Sequence, residues 1–119
     1  MSVAEDLNQT RSAVKDRLLR GLRSLRVSVV DRCNLRCRYC MPEEDYTWLP
    51  KDDLLTKREI VHAVESFSSL GVDRIRITGG EPLLRGDLSE VVASLSEIKS
   101  IRDIALTTNA TRLGQYAED

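Results

Sequence analysis

Cys33, Cys37 and Cys40 are the only cysteines in the chain, and spacings of four and then three residues confine all three thiols to the segment between Asp31 and Pro42. Three thiolates can grip three corners of a cubic iron-sulfur cluster and leave the fourth iron without a protein ligand. An iron with an open position is a place where a small molecule binds and reacts. Three thiols cannot pair off as disulfides, and a near-neutral chain without a secretion signal points to a reducing cytoplasm. A structural zinc site asks for four ligands, and the single histidine, His62, falls on a separate predicted helix as a solvent-facing residue. Incidental core cysteines belong in apolar surroundings, whereas these alternate with Arg32, Arg36 and Arg38. Zinc binding or a role without a ligand stays open as the alternative.

A second candidate is Gly79-Gly80-Glu81-Pro82. Glycines let a backbone approach a ligand closely, Pro82 stiffens the exit, and the Glu81 carboxylate can accept from an ammonium group. Any tight turn can use such a pair, so its meaning comes from its position beside the thiols.

That position follows from the elements. An apolar strand over 26–30 runs into the cysteine loop, and an acidic, irregular stretch over 43–53 follows, with Trp48 as a loop anchor. Thr56 and Glu59 form a capping box for a helix whose apolar face is Ile60, Val64 and Phe67 and whose stop is Gly71. A strand over 74–78 leads to the glycine turn. Asp87 then caps a helix with Leu88, Val91, Val92, Leu95 and Ile98 at helical period, and a third strand over 104–108 stops at Asn109. Strand, helix, strand, helix, strand is the pattern of parallel βαβ units, an α/β fold. The three loops after the strands must share the carboxyl edge of the sheet, where such folds bind ligands.

The strands alternate rather than running apolar throughout, with Arg26, Ser28, Arg74, Arg76, Thr78 and Thr107 opposite Val27, Val29, Ile75, Ile77, Ile104 and Leu106. One face therefore packs on helices and the other is polar and positive. A wide, incompletely closed barrel with an anion-binding lumen has this pattern, and so has an open sheet with one face in water. Residues 1–25 read as a helical arm, from a capping box at Ser2 to Glu5 and apolar positions Val3, Leu7, Val14, Leu18, Leu22 and Leu25. At 119 residues, 31% charged, 41% hydrophobic and net charge -1, the composition is that of an ordinary soluble domain. It argues against a general nucleic-acid surface, and no apolar run approaches a membrane span.

Cys33-Asn34-Leu35-Arg36-Cys37-Arg38-Tyr39-Cys40 is a CxxxCxxC motif with an aromatic before its last cysteine, and with Gly79-Gly80-Glu81-Pro82 it resembles the radical S-adenosylmethionine (SAM) superfamily. The words LRVSVVDRCNLRCRYCMPEE, RIRITGGEPLLRGDL and IALTTN resemble, more narrowly, the GTP 3′,8-cyclase family of molybdenum cofactor biosynthesis, from about Asp16 onward. The resemblance implies that residues 26–119 are the N-terminal portion of a partial (βα)6 TIM-like barrel, with three parallel strands present. Cys33, Cys37 and Cys40 would ligate a 4Fe-4S cluster, SAM would chelate its free iron, and Tyr39, Gly80 and Glu81 would contact SAM. Arg26, Arg76 and Thr107 match the family's GTP contacts, and all three fall in the polar set of the alternation.

The implied activity is reductive cleavage of SAM and radical cyclisation of GTP to 3′,8-cyclo-7,8-dihydro-GTP, with an electron donor protein as partner. Ala110 and Arg74 depart from the family's usual glycine and lysine. The remaining strands of the barrel and the family's second 4Fe-4S cluster are not encoded here. The expectation is therefore an incomplete, inactive portion of a cyclase, with room for a complementing C-terminal chain or a homodimer. The alternatives are another radical SAM enzyme and a non-enzymatic, vestigial cluster-binding module.

Overall fold

The computed structural model describes residues 14–118. Three strands, β1 (Ser24–Ser28), β2 (Arg74–Thr78) and β3 (Asp103–Leu106), form one parallel sheet in the order β1-β2-β3. Helices α1 (Lys57–Ser68) and α2 (Leu88–Ser96) connect them and pack against each other. The βαβ reading is thus met, with an open three-stranded sheet as the arrangement among the described residues.

Local chemistry accounts for most boundaries. The capping box forms as expected: Thr56 Oγ1 accepts from the Glu59 amide, and Glu59 Oε1 accepts from the Thr56 amide, both at 3.2 Å. This pairing holds the Glu59 carboxyl below its usual range. Ile60, Val64 and Ser68, four residues apart, are the buried stripe of α1, which turns Phe67 outward to 39% exposure. Ser68 takes the inward place that Phe67 was expected to hold, and its hydroxyl pairs with Ser100 at 2.8 Å. Asp87 occupies the N-cap position of α2 but makes no side-chain cap. Its carboxylate turns back to the Arg85 guanidinium at 2.6 Å, a stronger partner than a neutral amide.

Two strands begin earlier than their apolar pattern suggests. β1 starts at Ser24 and ends at Ser28, yet Val29 and Val30 remain 2% and 6% exposed. They are buried because the chain continues beside β2: the Val29 amide donates to Thr78, and Val30 accepts from Gly80. β3 likewise ends at Leu106, while the Thr107 amide still donates to Ile77.

The expected helical arm lies outside the described residues over 1–13. From Val14 the chain makes a turn closed by a Lys15–Gly21 bridge, with Leu19 at a φ of 63°. Asp16 explains the turn. Its Oδ1 accepts from the amides of Leu18 and Arg20 and its Oδ2 from the Arg20 side chain, so a short polar side chain competes with the helical ladder.

The core lies between the helices and one face of the sheet, around Ile60, Val64, Ile75, Ile77, Val91 and Leu95. On the other face the rungs are polar but for Ala105: Ser24, Arg74 and Asp103; then Arg26, Arg76 and Ala105; then Ser28 and Thr78. Arg26 and Arg76 are exposed there. Among the described residues no helix is long and apolar enough to cross a membrane.

Candidate functional site

The three loops that follow the strands meet, as parallel topology requires, and they are stitched by named bonds. The Gly80 amide donates to Val30 at 2.9 Å and the Glu81 amide to Arg32 at 2.7 Å, so the glycine turn lies directly against the entry to the cysteine loop. A Cβ on Gly80 would stand 2.1 Å from the Arg32 carbonyl oxygen, and one on Gly79 would stand 2.5 Å from that of Val30. Here the missing side chains permit backbone to approach backbone. The ligand approach expected from sequence is not what these contacts describe.

Glu81 is 1% exposed. Its Oε1 accepts from the Thr108 hydroxyl and the Leu83 amide, and its Oε2 from the Asn109 amide at 2.7 Å. The carboxylate expected to meet an ammonium group is thus engaged by protein donors and ties the β2 loop to the β3 loop. Asn109 continues the tie. Its Oδ1 accepts from the Thr111 amide and hydroxyl, and its Nδ2 donates to Asn34 Oδ1 at 2.9 Å and lies 4.0 Å from Cys33 Sγ. Asn34 Nδ2 in turn donates to Thr111 Oγ1.

The cysteines are free thiols, with Cys33 and Cys37 half-buried and Cys40 exposed. Cys37 O accepts from the amides of Cys40 and Met41, a tight backbone turn between the second and third cysteines. Arg36 holds the loop from within. Its guanidinium donates to the carbonyls of Cys33, Leu35 and Glu44 and stands 5.4 Å and 5.5 Å from the rings of Tyr46 and Trp48, which stack on each other. Trp48 therefore anchors the acidic stretch by packing on a cation. Asp31 helps, accepting from the Leu49 amide through Oδ2 at 2.7 Å.

Arg85 braces the loop from below. Its side chain is 10% exposed and donates to Val29 O, to Leu55 O and to Asp87, which holds the Asp87 carboxyl below its usual range. Sequence reading passed over Arg85, whose partners Val29 and Leu55 lie far along the chain, and gave Arg36 and Asn34 no part in holding the loop.

By chemistry the donor set, three thiols and no fourth, is one a cubic cluster takes. Among the described residues no three His, Cys, Asp or Glu side chains gather around one point. A cube asks each thiolate for a different iron. One acceptor at this junction is also left over, since Asp31 Oδ1 is buried without a partner, and such an atom suits a ligand that carries N–H donors. Tyr39 is 92% exposed beside the thiols. Arg76 Nη1 approaches Thr107 Oγ1 at 3.4 Å on the open face, with Arg26 beside it. The concavities found elsewhere, about 340 Å³ beside Asp73 and Arg102 and about 700 Å³ between the helices at His62, involve none of these residues.

The three free thiols lie on the loop after the first strand of a parallel α/β sheet, at its carboxyl edge. The chain belongs to the radical SAM superfamily, whose family model matches residues 27–119. It is 57% identical over 112 residues to GTP 3′,8-cyclase 1 of Mycobacterium tuberculosis (strain ATCC 25618 / H37Rv), an alignment covering 91% of this chain and 31% of that protein. It is 52% identical over 108 residues to the GTP 3′,8-cyclase of Acidothermus cellulolyticus, covering 87% and 30%. With that of Aquifex aeolicus it shares 54% over 99 residues, covering 82% and 31%. The chain thus spans about a third of the length of these curated relatives.

Proposed function

We propose that this chain supplies the cluster- and SAM-binding portion of a GTP 3′,8-cyclase. The observation that carries the reading is the union of two features on one edge: three thiols on a braced loop, and two registered arginines on the open sheet face running up to it. Cys33, Cys37 and Cys40 hold the cluster. Tyr39, exposed beside them, offers its backbone to the adenine of SAM.

The amides of Gly80 and Glu81 are engaged by the cysteine loop, so what the glycine turn offers the methionyl end of SAM is carbonyl acceptors, joined by Asp31 Oδ1. Those groups suit an ammonium. Arg26, Arg76 and Thr107 line the floor for GTP, where fixed cations hold a triphosphate and orient its ribose. Cluster and SAM, when bound, would supply one-electron radical chemistry at the GTP ribose; Cys33, Cys37 and Cys40 would hold the cluster, and Arg26, Arg76 and Thr107 would orient the ribose toward it. Positioning and water exclusion are the protein's share of that chemistry.

The wider barrel, the second cluster and the electron donor belong to the same reading. Cyclisation by these residues alone is not expected, because the three strands present one wall of the floor only. The test is anaerobic reconstitution of the chain with iron and sulfide, followed by assay of dithionite-driven 5′-deoxyadenosine formation from SAM. Slow cleavage without GTP cyclisation supports the reading. A cluster that binds no SAM supports the vestigial module, and SAM cleavage that turns over a substrate other than GTP supports another radical SAM enzyme.

A further inference from the structure

We propose that Asn109 is a positioning residue for the cluster, its carboxamide N–H donating to the Cys33 thiolate and stabilising the reduced state. The inference rests on the cluster reading above and adds a residue to it. The orientation of the carboxamide is fixed by its neighbours. Thr111 N is a donor and cannot be anything else, so the Asn109 atom facing it at 3.1 Å must be the oxygen, and the NH2 group must face the cysteine loop. There one N–H is engaged by Asn34 Oδ1 at 2.9 Å, and Cys33 Sγ lies 4.0 Å from the same nitrogen.

The frame around this amide is closed. The Asn109 backbone N–H is held by buried Glu81, its side-chain oxygen by Thr111, and Thr111 Oγ1 in turn accepts from Asn34, the residue next to Cys33. A donor anchored on three sides is pre-oriented toward the sulfur. Its contact shortens as the thiolate gains negative charge from the cluster. Electron uptake adds one electron to the cluster and its thiolates, with no bond made or broken and no proton transferred. An N–H dipole aimed at that charge favours the reduced form and raises the potential.

The test uses the chain reconstituted anaerobically with iron and sulfide, its one-electron reduction followed by EPR in a dithionite titration. Asn109→Ala is expected to keep its iron and sulfide content and to move the midpoint to more negative potential by up to a tenfold change in the reduced-to-oxidised ratio, about 59 mV for one electron. In heavy water, an exchangeable deuteron coupled to the cluster is expected in the unsubstituted chain and absent in Asn109→Ala. Thr111→Val, which removes one of the two donors to the amide oxygen, shifts the midpoint the same way by less. An unmoved midpoint with the deuteron coupling retained in Asn109→Ala overturns the proposal. Should Asn109→Ala take up no iron, an unmoved midpoint in Thr111→Val overturns it instead. An unsubstituted chain without any cluster signal overturns the cluster reading rather than this one.

Discussion

Arg26 and Arg76 stand on the same rung of the sheet, paired in register on adjacent parallel strands, and among the described residues neither has a carboxylate partner. Like charges opposite one another on a sheet face are unfavourable by a few tenths to about 1 kcal/mol. The arrangement makes physical sense where an anion bridges the two. On the proposed GTP role, Arg26→Ala and Arg76→Ala are each expected to weaken GTP binding roughly ten- to a hundredfold, the range for a hydrogen bond to a charged group. Guanosine binding changes far less. Calorimetric titration with the two ligands checks this, and equal losses for both would contradict a triphosphate role. Stability should rise slightly in either variant.

Gly80→Ala drives a methyl group into the Arg32 carbonyl, 2.1 Å from where the Cβ must stand. No side chain can yield, because the obstruction is backbone. A loss of about 2 to 3 kcal/mol in urea unfolding is expected, together with a fall in iron bound per chain. Gly86→Ala is the control: its Cβ meets nothing within 4 Å.

Glu81→Ala leaves the Thr108 hydroxyl and the amides of Leu83 and Asn109 without their acceptor in a buried site. The expected cost is roughly 2 to 4 kcal/mol. Amide exchange should report it locally, through faster exchange at Asn109 than in the middle of β2.

Asp87 supplies a pH signature. The Arg85 hydrogen bond lowers its pKa in the folded chain, so it contributes stability above the unfolded value near 4, which is lost as pH falls through the lower folded value. Asp87→Asn is expected to unfold more easily at neutral pH and to show a flatter decline in acid. The Arg85 link to Val29 carries the loss to the base of the cysteine loop. Parallel acid titrations of the two proteins by circular dichroism decide it, and identical slopes would sink the assignment.

Much of this was readable from sequence, for local reasons. The α1 start followed from Thr56 and Glu59 three residues apart, and β2 from strict alternation between Arg74 and Thr78. The meeting of the three loops followed from parallel topology, and the polar set containing Arg26 and Arg76 from side-chain period. What stayed hidden depends on contacts between distant residues. Arg85 reaches Val29 across 56 residues with nothing in either neighbourhood to announce it, and the Asn109 side chain reaches Cys33 across 76. The glycine pair was legible as a close approach, but not as one between two backbones. Topology alone set Asn109 at the edge where the thiols lie, but not its carboxamide against Cys33.

The central claim is that three thiols hold a cube whose fourth iron is free for SAM. Mössbauer spectroscopy of the chain reconstituted with iron-57, before and after SAM, addresses it most directly. The account predicts four irons per chain, one of which changes its isomer shift when SAM is added while three do not. A spectrum that SAM leaves unaltered, or a site that takes one zinc in preference to iron, would contradict it.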